Sequence, residues 1–323
     1  MRVRVDAGAR LHVGFQNLSL AHERLYGGVG VGLEEPGVVI EAEPAESVVC
    51  DDALIADYAQ RASEVLGVDG AKLTVEETLP RHVGLGSGTQ TALATLAAVA
   101  AAHDIDSRVR EHAPDLNRGG RSGVGVATFE AGGFVVDAGH PTERFTTAPP
   151  ESGEWEVPAV VARHDLPETW RFVLVLPDAE PGRSGETEDE SMRAVVERAD
   201  PAVADDLATL LVRRLLPAAA EGRLESFGDA AGAFGRLNGA WYADEQGGVY
   251  RPPAGRLIDA LADQPSVRGV GQSSWGPAVY GVTDASLAGE ARAAAETALK
   301  EAGVDGTVEI VAPRNEGARI SLP

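Results

Sequence analysis

The most constraining feature of this sequence is a glycine-rich segment that follows one predicted strand and opens a predicted helix. It runs from Pro80 to Gln90, after a strand predicted at 72–76 and into a helix predicted from Thr89 to about His103. Glycines let the backbone approach a ligand closely, and the free N–H groups and dipole of a helix start favour a phosphate. The segment therefore predicts a phosphate-binding loop made by Gly84, Leu85, Gly86, Ser87, Gly88 and Thr89.

Two common kinds of glycine-rich nucleotide loop do not fit this segment. No Gly-Lys-Ser/Thr triplet follows, so it is not a Walker loop, and the glycine spacing does not match the dinucleotide-binding fingerprint. The hydroxyl groups of Ser87 and Thr89 are suited to donate to phosphate oxygens or to reach a bound cation. The alternative interpretation is an ordinary glycine-rich turn capped by a hydroxyl side chain.

Two further segments carry charged and hydroxyl side chains. Arg10 and His12 lie on the same face of a predicted strand, and arginine can form a bidentate pair with phosphate or carboxylate. A second glycine-rich loop, at 119–125, carries Arg121 and Ser122. We expect both segments to contribute binding groups.

A third segment is a turn that clusters hydrogen-bond donors beside one aromatic ring. It contains Gln272, Ser273, Ser274 and Trp275, and the alternative is a tight turn with the tryptophan packed in the core. Asp137 ends a predicted strand near the glycine-rich loops. It is a candidate catalytic carboxylate or metal ligand, and a turn-capping role is the alternative.

The charge balance excludes some classes of partner. The chain has 28 Lys and Arg residues against 50 Asp and Glu residues, which gives a net charge of −22. No basic face is therefore expected that could displace counterions from nucleic acid or bind an anionic membrane. Because lysine occurs only at positions 72 and 300, the acidic excess predicts a surface adapted to high salt. The acidic run at 186–190 is interpreted as a solvated face.

The sequence shows no sign of crosslinking or membrane insertion. Cys50 is the single cysteine, which excludes an internal disulfide. Residues 1–6 predict a strand rather than a signal peptide, and the weakly apolar run at 91–102 is too short to span a bilayer. We therefore expect a cytoplasmic protein with no membrane partner.

We predict two domains, at residues 1–150 and 151–323, because a stretch rich in Pro, Thr, Glu and Ser separates them near 140–155. In the first domain, the loop at 119–125 is predicted to lead into two short strands that end at Asp137. In the second, the order after Val267 is strand, turn, strand, helix, strand. That order is typical of half of a ferredoxin-like sandwich.

The segment Pro80–Ser87 is similar to the phosphate-binding motif of the GHMP kinase superfamily, and the rest of the chain extends this likeness. Six stretches resemble, in the right order, β-ribofuranosylaminobenzene 5′-phosphate synthase, and the loop at 181–186 fits the same family. The stretches are 10–15, 27–31, 82–90, 123–127, 132–134 and 271–277. The resemblance implies an α+β, GHMP-kinase-like two-domain fold. Its N-terminal domain would be ribosomal-protein-S5-like and its C-terminal domain a ferredoxin-like α/β sandwich.

Two positions depart from the kinases of that superfamily. Gly125 stands where many of them have an aspartate proposed as the base for the acceptor hydroxyl, and Gly88 replaces the second serine of their loop. Loss of a general base typically costs ~10²–10⁴-fold in rate. The departures therefore favour the synthase branch over an ATP-dependent kinase.

The resemblance implies a glycosyltransferase that joins phosphoribosyl pyrophosphate to a 4-substituted benzoate, releases pyrophosphate and CO₂, and serves methanopterin synthesis. Segment 84–89 would cradle the pyrophosphate, and Ser87 and Thr89 would reach Mg²⁺. Arg10 and His12 would contact the phosphate or carboxylate of the substrate. Opposite them, Arg121 and Ser122 would line the pocket. The residues that would close it are Gln272, Ser273, Ser274 and Trp275, with the indole free to stack on the benzoate ring.

Two other functions stay open at this point, as does a homodimer. One is an ATP-dependent small-molecule kinase on the same fold, and the other is a non-catalytic ligand-binding relative. The acidic, lysine-poor composition also leaves open which aromatic acid is the substrate and which pathway the protein serves.

Overall fold

The computed structural model describes residues 1–182 and 185–322. Of the loop at 181–186 that resembles the synthase family, Arg183 and Ser184 lie outside the described residues. In chain order the strands are β1 (Val3–Asn17), β2 (Arg24–Pro44), β3 (Ala71–Glu77), β4 (Phe134–Asp137), β5 (His140–Pro141), β6 (Val160–His164), β7 (Trp170–Pro177), β8 (Arg268–Gln272), β9 (Val279–Asp284), β10 (Gly306–Val311) and β11 (Arg319–Ser321).

Helices account for most of the remaining regular structure. They are α1 (Ala53–Leu66), α2 (Ser87–Ala102), α3 (Val109–His112), α4 (Val124–Ala131), α5 (Glu186–Arg198), α6 (Pro201–Leu210), α7 (Leu216–Glu221), α8 (Leu224–Trp241), α9 (Ala243–Gln246), α10 (Ala254–Ala262) and α11 (Ala288–Ala302). A π-helical turn at 211–215 joins α6 to α7, and short 3₁₀ turns lie at 114–116 and 285–287. Within the described residues, no helix is both long and apolar enough to cross a membrane.

The larger sheet is built on the antiparallel pair β1–β2. Its strand order is β11-β1-β2-β4-β6, and β3 and β5 also pair with β2. Val5 lies opposite Ile40 and Leu11 opposite Val31, and all four side chains are buried. Helix α2 packs on this sheet and is buried on nearly every side, because its alanines let the sheet, α1 and α4 approach closely.

The second sheet is antiparallel, with the order β10-β7-β9-β8. Helices α10 and α11 pack on it around a small core that includes Leu257, Leu261, Ala295 and Val173. The predicted order of strand, turn, strand, helix and strand is therefore confirmed for β8, β9, α11 and β10. Helix α8 packs on β8 and contacts β1 of the larger sheet, so it joins the two halves.

The segment after the second glycine-rich loop differs from the sequence prediction. Residues 124–131 form helix α4 rather than a strand. Val124 and Val126 alternate with small residues, which imitates the period of a strand, but Val124–Phe129 is buried all round. A helix with no solvent face has no amphipathic period in its sequence, so the pattern could not separate the two structures.

The larger sheet extends past the predicted domain boundary at residue 150. Strand β6 pairs with β4, with Ala162 opposite Val136, and the C-terminal strand β11 pairs with β1. The stretch at 140–155 also packs onto the first half, where Phe145 is buried and the indole N–H of Trp155 donates to the carbonyl of Arg118 at 2.9 Å. Its polar composition indicated a linker because the sequence does not show which few apolar side chains will be covered.

Two glycines seat α8, which carries part of the candidate site, on β8. Gly269 has a φ of +53°, and a Cβ there would lie 1.6 Å from the carbonyl oxygen of Gly228. The two backbones therefore touch directly, and only glycine at position 269 allows it.

We expect Gly269→Ala to lower the free energy of unfolding by roughly 2–4 kcal/mol, because a left-handed backbone and a steric clash are combined at one position. The matched control is Gly289→Ala, an exposed position in α11 with no atom within 4 Å of the new Cβ. That control should gain roughly 0.5–1 kcal/mol from helix propensity. Chemical denaturation measures both changes, and equal stability of the two variants would contradict the packing described.

Candidate functional site

The phosphate loop, strand β1 and the turn at 272–278 meet in one place. The backbone amide of Arg10 donates to the carbonyl of Leu85 at 3.1 Å, and that of Ala278 donates to Val83 at 3.0 Å. The amide of Ser274 donates to the carbonyl of His12 at 3.0 Å. Three segments that are far apart in sequence are therefore joined by main-chain hydrogen bonds, as the site prediction required.

The loop turns into helix α2 through two glycines with left-handed backbone. Gly84 has a φ of +97° and Gly86, the residue before the helix, a φ of +80°. The amides of Thr89 and Gln90 donate to the carbonyl of Gly86, both at 3.0 Å. The amides of Ser87 and Gly88 lie in the first turn, where helical N–H groups have no intrahelical acceptor. These two amides are therefore the main-chain donors that the helix start offers to an anion.

Arg10 places a guanidinium directly on this loop. Its Nη1 donates to the carbonyl of Gly84 at 2.7 Å, and a Cβ at Gly86 would lie 2.8 Å from its Cγ. Burial lowers the pKa of Arg10 to about 10, while the negative charge of Glu188 acts in the opposite direction. No carboxylate forms a salt bridge with Arg10 in the described parts of the chain. The side chain stays protonated at neutral pH and brings a positive charge to the helix start.

His12, Ser122 and Asp137 form a hydrogen-bonded chain. The Ser122 hydroxyl lies 3.2 Å from Nε2 of His12 and 3.2 Å from Oδ2 of Asp137. Because the carboxylate only accepts, this hydroxyl donates to Asp137 and accepts from Nε2–H of His12, which leaves Nδ1 of the ring as an acceptor. Burial, together with the positive charge of Arg10, holds the pKa of His12 well below its usual range. The imidazole is therefore neutral at pH 7.

Asp137 lies behind this chain, with no side-chain surface exposed. Its oxygens accept from the amides of Gly123 at 2.7 Å and Gly139 at 2.8 Å. Burial raises the pKa of Asp137 to about 6, although these hydrogen bonds oppose the shift. This geometry favours the alternative that the sequence left open: Asp137 holds two glycine loops and positions Ser122, and it does not reach a ligand directly.

Beside the loop lies a small cleft. Two aromatic contacts shape it: Trp275 and Tyr242 meet edge-to-face with ring centroids 4.8 Å apart, and His12 and Phe15 do the same at 4.8 Å. Neither Lys nor Arg occurs among the lining residues within the part of the chain that the structure describes. The lining is His12, Val13, Gly14, Phe15, Gly235, Asn238, Gly239, Tyr242, Gln246, Val249, Tyr250, Gln272, Ser274 and Trp275.

The four predicted residues of the third segment divide into two roles. Ser273 is fully buried, accepts from the amide of His12 at 3.0 Å and donates to the carbonyl of Gly84 at 2.7 Å. Gln272 accepts from the amide of Arg251 at 2.8 Å and donates to the carbonyl of Ser274 at 2.9 Å. These two side chains hold the turn together, and Gln272 also lines the cleft with Ser274 and Trp275. The indole of Trp275 is itself buried in the hydrophobic core, as the alternative interpretation of this turn expected.

The acidic run at 186–190 is not wholly a solvated face. Glu188 pairs with Nη1 of Arg121 at 2.8 Å, and Asp189 pairs with Nη2 of the same guanidinium. Glu188 is also close enough to influence the pKa values of Arg10, Tyr26 and Tyr242. Sequence reasoning missed this carboxylate because its partner lies 67 residues earlier and no local pattern links the two.

Sequence reasoning also missed Arg118, one residue before the predicted loop at 119–125. A Cβ at Gly88 would lie 3.1 Å from its Nη1. Its Nη2 donates to the hydroxyl of Tyr58, and its guanidinium carbon lies 5.4 Å from the centre of that ring. The signal available was an arginine directly beside a run of glycines.

The predicted magnesium ligands supply hydroxyl groups only. Ser87 is buried and Thr89 half-buried in the first turn of α2. The described residues contain no group of three or more His, Cys, Asp or Glu side chains that could hold a metal ion. Mg²⁺ is commonly bound through a few protein ligands together with substrate phosphates and water. The donor set therefore fits a magnesium ion carried by a bound polyphosphate, not one caged by the protein.

Comparison with known proteins identifies the architecture. The family of GHMP kinases N terminal domains matches residues 53–133, and the family of GHMP kinases C terminal domains matches residues 215–301. A homoserine kinase from Cytophaga hutchinsonii has a similar fold, with a TM-score of 0.65 at 14% identity over 99% of this chain and 97% of that one. The predicted GHMP-type α+β fold is confirmed.

Two curated relatives are similar over nearly the whole chain. The β-ribofuranosylphenol 5′-phosphate synthase of Methanothermobacter thermautotrophicus is 32% identical, covering 97% of each chain. The protein of the same name from Archaeoglobus fulgidus is also 32% identical, covering 99% of this chain and all of that one. With its GHMP-type domains, the chain therefore belongs to the β-ribofuranosylphenol 5′-phosphate synthase family.

Proposed function

We propose that this chain joins phosphoribosyl pyrophosphate to 4-hydroxybenzoate and forms a ribofuranosylphenol 5′-phosphate. The names of the relatives contain a phenol, so we prefer a ring hydroxyl to the amino group that the sequence resemblance implied. One observation carries the proposal: the phosphate loop and an aromatic, cation-free cleft share strand β1 and the turn at 272–275. A polyanion and an aromatic ring can therefore be held side by side.

The reaction balances without an added oxidant, reductant or proton. The bond between the sugar C1 and pyrophosphate breaks, and pyrophosphate leaves with the electron pair. The ring carbon that bears the carboxylate attacks C1, and the bond to CO₂ then breaks and returns its electrons to the ring. The protein has to stabilise charge on the leaving group and hold the two reacting carbons together.

The loop supplies the first of these functions. The amides of Ser87 and Gly88 and the guanidinium of Arg10 bind the pyrophosphate and stabilise the charge that develops as it leaves. The hydroxyls of Ser87 and Thr89 would hold Mg²⁺ bound to the same group, which supplies further positive charge there.

The cleft supplies the second function. Trp275, Tyr242 and Phe15 offer aromatic surface to the substrate ring. Because no cationic side chain lines the described cleft, no ion pair there holds the substrate carboxylate against loss as CO₂. Neutral His12, held by Ser122 and Asp137, presents Nδ1 as an acceptor. A phenolic hydroxyl that donates to this nitrogen becomes a better electron donor to its ring.

The direct test uses carboxyl-labelled 4-hydroxybenzoate with phosphoribosyl pyrophosphate and Mg²⁺. It is run at molar KCl, because the acidic composition predicts a surface adapted to high salt. We expect labelled CO₂ and pyrophosphate in equal amounts. A parallel reaction replaces both substrates with ATP and candidate hydroxyl acceptors. Phosphoryl transfer without CO₂ release would instead establish a kinase, and ligand binding without turnover would leave a non-catalytic relative.

Arg10→Met should lower kcat/KM for phosphoribosyl pyrophosphate by about 100-fold or more, since one well-placed donor to a developing anion has that order of effect. Arg256→Met is the charge-matched control, because Arg256 is exposed on helix α10. That control should stay within about twofold of the parent. Full activity and an unchanged KM in Arg10→Met would remove Arg10 from the site.

The protonation of Asp137 generates a pH prediction for stability. Burial raises the pKa of Asp137 from 3.8 to about 6 in the folded state, so protonation of this carboxyl favours the folded protein. That contribution to the free energy of unfolding is complete below pH 4 and is lost as the pH rises through 6. The unfolding free energy of the parent minus that of Asp137→Asn should therefore fall by up to about 3 kcal/mol between pH 4 and pH 7. Denaturation curves at fixed salt measure it, and a difference that stays level or rises with pH would show that the pKa of Asp137 is not raised.

A further inference from the structure

We propose that Arg118 is a second cationic wall of the phosphate loop and binds the same diphosphate group as Arg10. The inference deepens the proposed function and rests on the loop being a polyphosphate site. It concerns the diphosphate group itself, which phosphoribosyl pyrophosphate and ATP share.

The first observation is the position of the guanidinium. From the place where a Cβ on Gly88 would stand, Nη1 of Arg118 is 3.1 Å away, Cζ 3.4 Å and Nη2 3.5 Å. The whole planar group therefore lies against the backbone of Gly88, in the first turn of α2. A side chain at position 88 would occupy the space that this group needs.

The second observation is that Arg118 and Arg10 contact different residues of the helix start. Arg10 lies against Gly86 and Arg118 against Gly88. Two positive charges therefore adjoin the two residues that flank Ser87, an arrangement suited to a diphosphate.

The third observation is that Arg118 is held rigidly but has unused hydrogen-bonding capacity. Tyr58 accepts from Nη2, its ring lies beneath the guanidinium, and the indole of Trp155 bonds the Arg118 carbonyl. Its Nε is buried and has no hydrogen-bond partner. In the described part of a chain with 50 acidic residues, no carboxylate forms a salt bridge with this side chain.

These facts are explained by an anionic ligand. A partly desolvated guanidinium that has no carboxylate partner and has unused donors lowers the stability of the fold. A bound anion removes this cost, because it pairs with the charge and accepts from the remaining donors. Arginine is also the side chain best suited to pair with phosphate oxygens through two donors at once. Tyr58 would then orient the guanidinium, and the missing side chain at Gly88 would leave room for it.

The test is the binding of inorganic pyrophosphate, measured by calorimetry at fixed Mg²⁺ and KCl. Arg118→Met should weaken the binding by about 10- to 100-fold, the range expected for one charge-assisted contact. Arg118→Lys should give an intermediate value, because it keeps the charge but not the planar pair of donors. The charge-matched control Arg61→Met, on the exposed side of α1, should bind like the parent.

Pyrophosphate binding within twofold of the parent in a folded Arg118→Met protein would overturn the inference. Should that variant not fold, Arg118→Lys decides the question, because it keeps the charge and loses the planar pair of donors. Weakened binding at an unchanged melting temperature supports the inference, and unaltered binding refutes it. If the chain releases no CO₂ from any benzoate yet binds pyrophosphate through Arg118, the proposed reaction fails while this inference stands.

Discussion

The carbonyl oxygen of Gly84 is the point on which the site depends. It accepts from the guanidinium of Arg10 and from the hydroxyl of Ser273, both at 2.7 Å. One acceptor thereby joins three parts of the chain: β1 at its beginning, the phosphate loop in its first third, and the turn before β9 near its end. Its φ of +97° makes glycine the residue suited to this position. Because the same carbonyl group orients Arg10, the hydrogen bonds that hold the loop in place also fix the position of its positive charge.

A second constraint is the close approach of backbone to side chain around the loops. Where a Cβ would stand at Gly28, the hydroxyl of Ser122 lies 2.1 Å away, and at Gly86 and Gly88 the side chains of Arg10 and Arg118 take that space. Glycine thus does more than permit unusual backbone angles. At Gly86 and Gly88, the missing side chain lets two arginines reach the start of α2.

Position 125 shows how the same scaffold is adapted to different chemistry. Its Cβ would lie 3.0 Å from Cγ2 of Thr89, so a side chain there would press on this threonine. The kinase resemblance places a carboxylate base at that position, whereas the proposed reaction needs none, since the ring carbon attacks without losing a proton. The missing carboxylate and the cation-free cleft are therefore consistent with a decarboxylating transfer.

Local sequence patterns predicted most of the regular elements and the segments that meet at the site. They did not predict α4, because a helix buried on all sides has no period to detect. Nor did they show that β6 and β11 complete the first sheet, since pairing between distant strands leaves little local trace. Glu188 and Arg118 were missed for a related reason: Arg121 and Gly88 are their partners only after the chain has folded.

By itself, the sequence determined that a glycine-rich loop opens a helix, that the chain is strongly acidic, and which family it resembles. These properties follow from residue types and short spacings, which act through a few neighbouring peptide units. Only the tertiary structure decided that Ser273 and Asp137 hold the site from within, that an aromatic cleft shares β1 and the turn at 272–275 with the phosphate loop, and that Arg118 reaches the helix start. Such facts depend on which distant surfaces exclude water together, and this is settled by packing rather than by local preference.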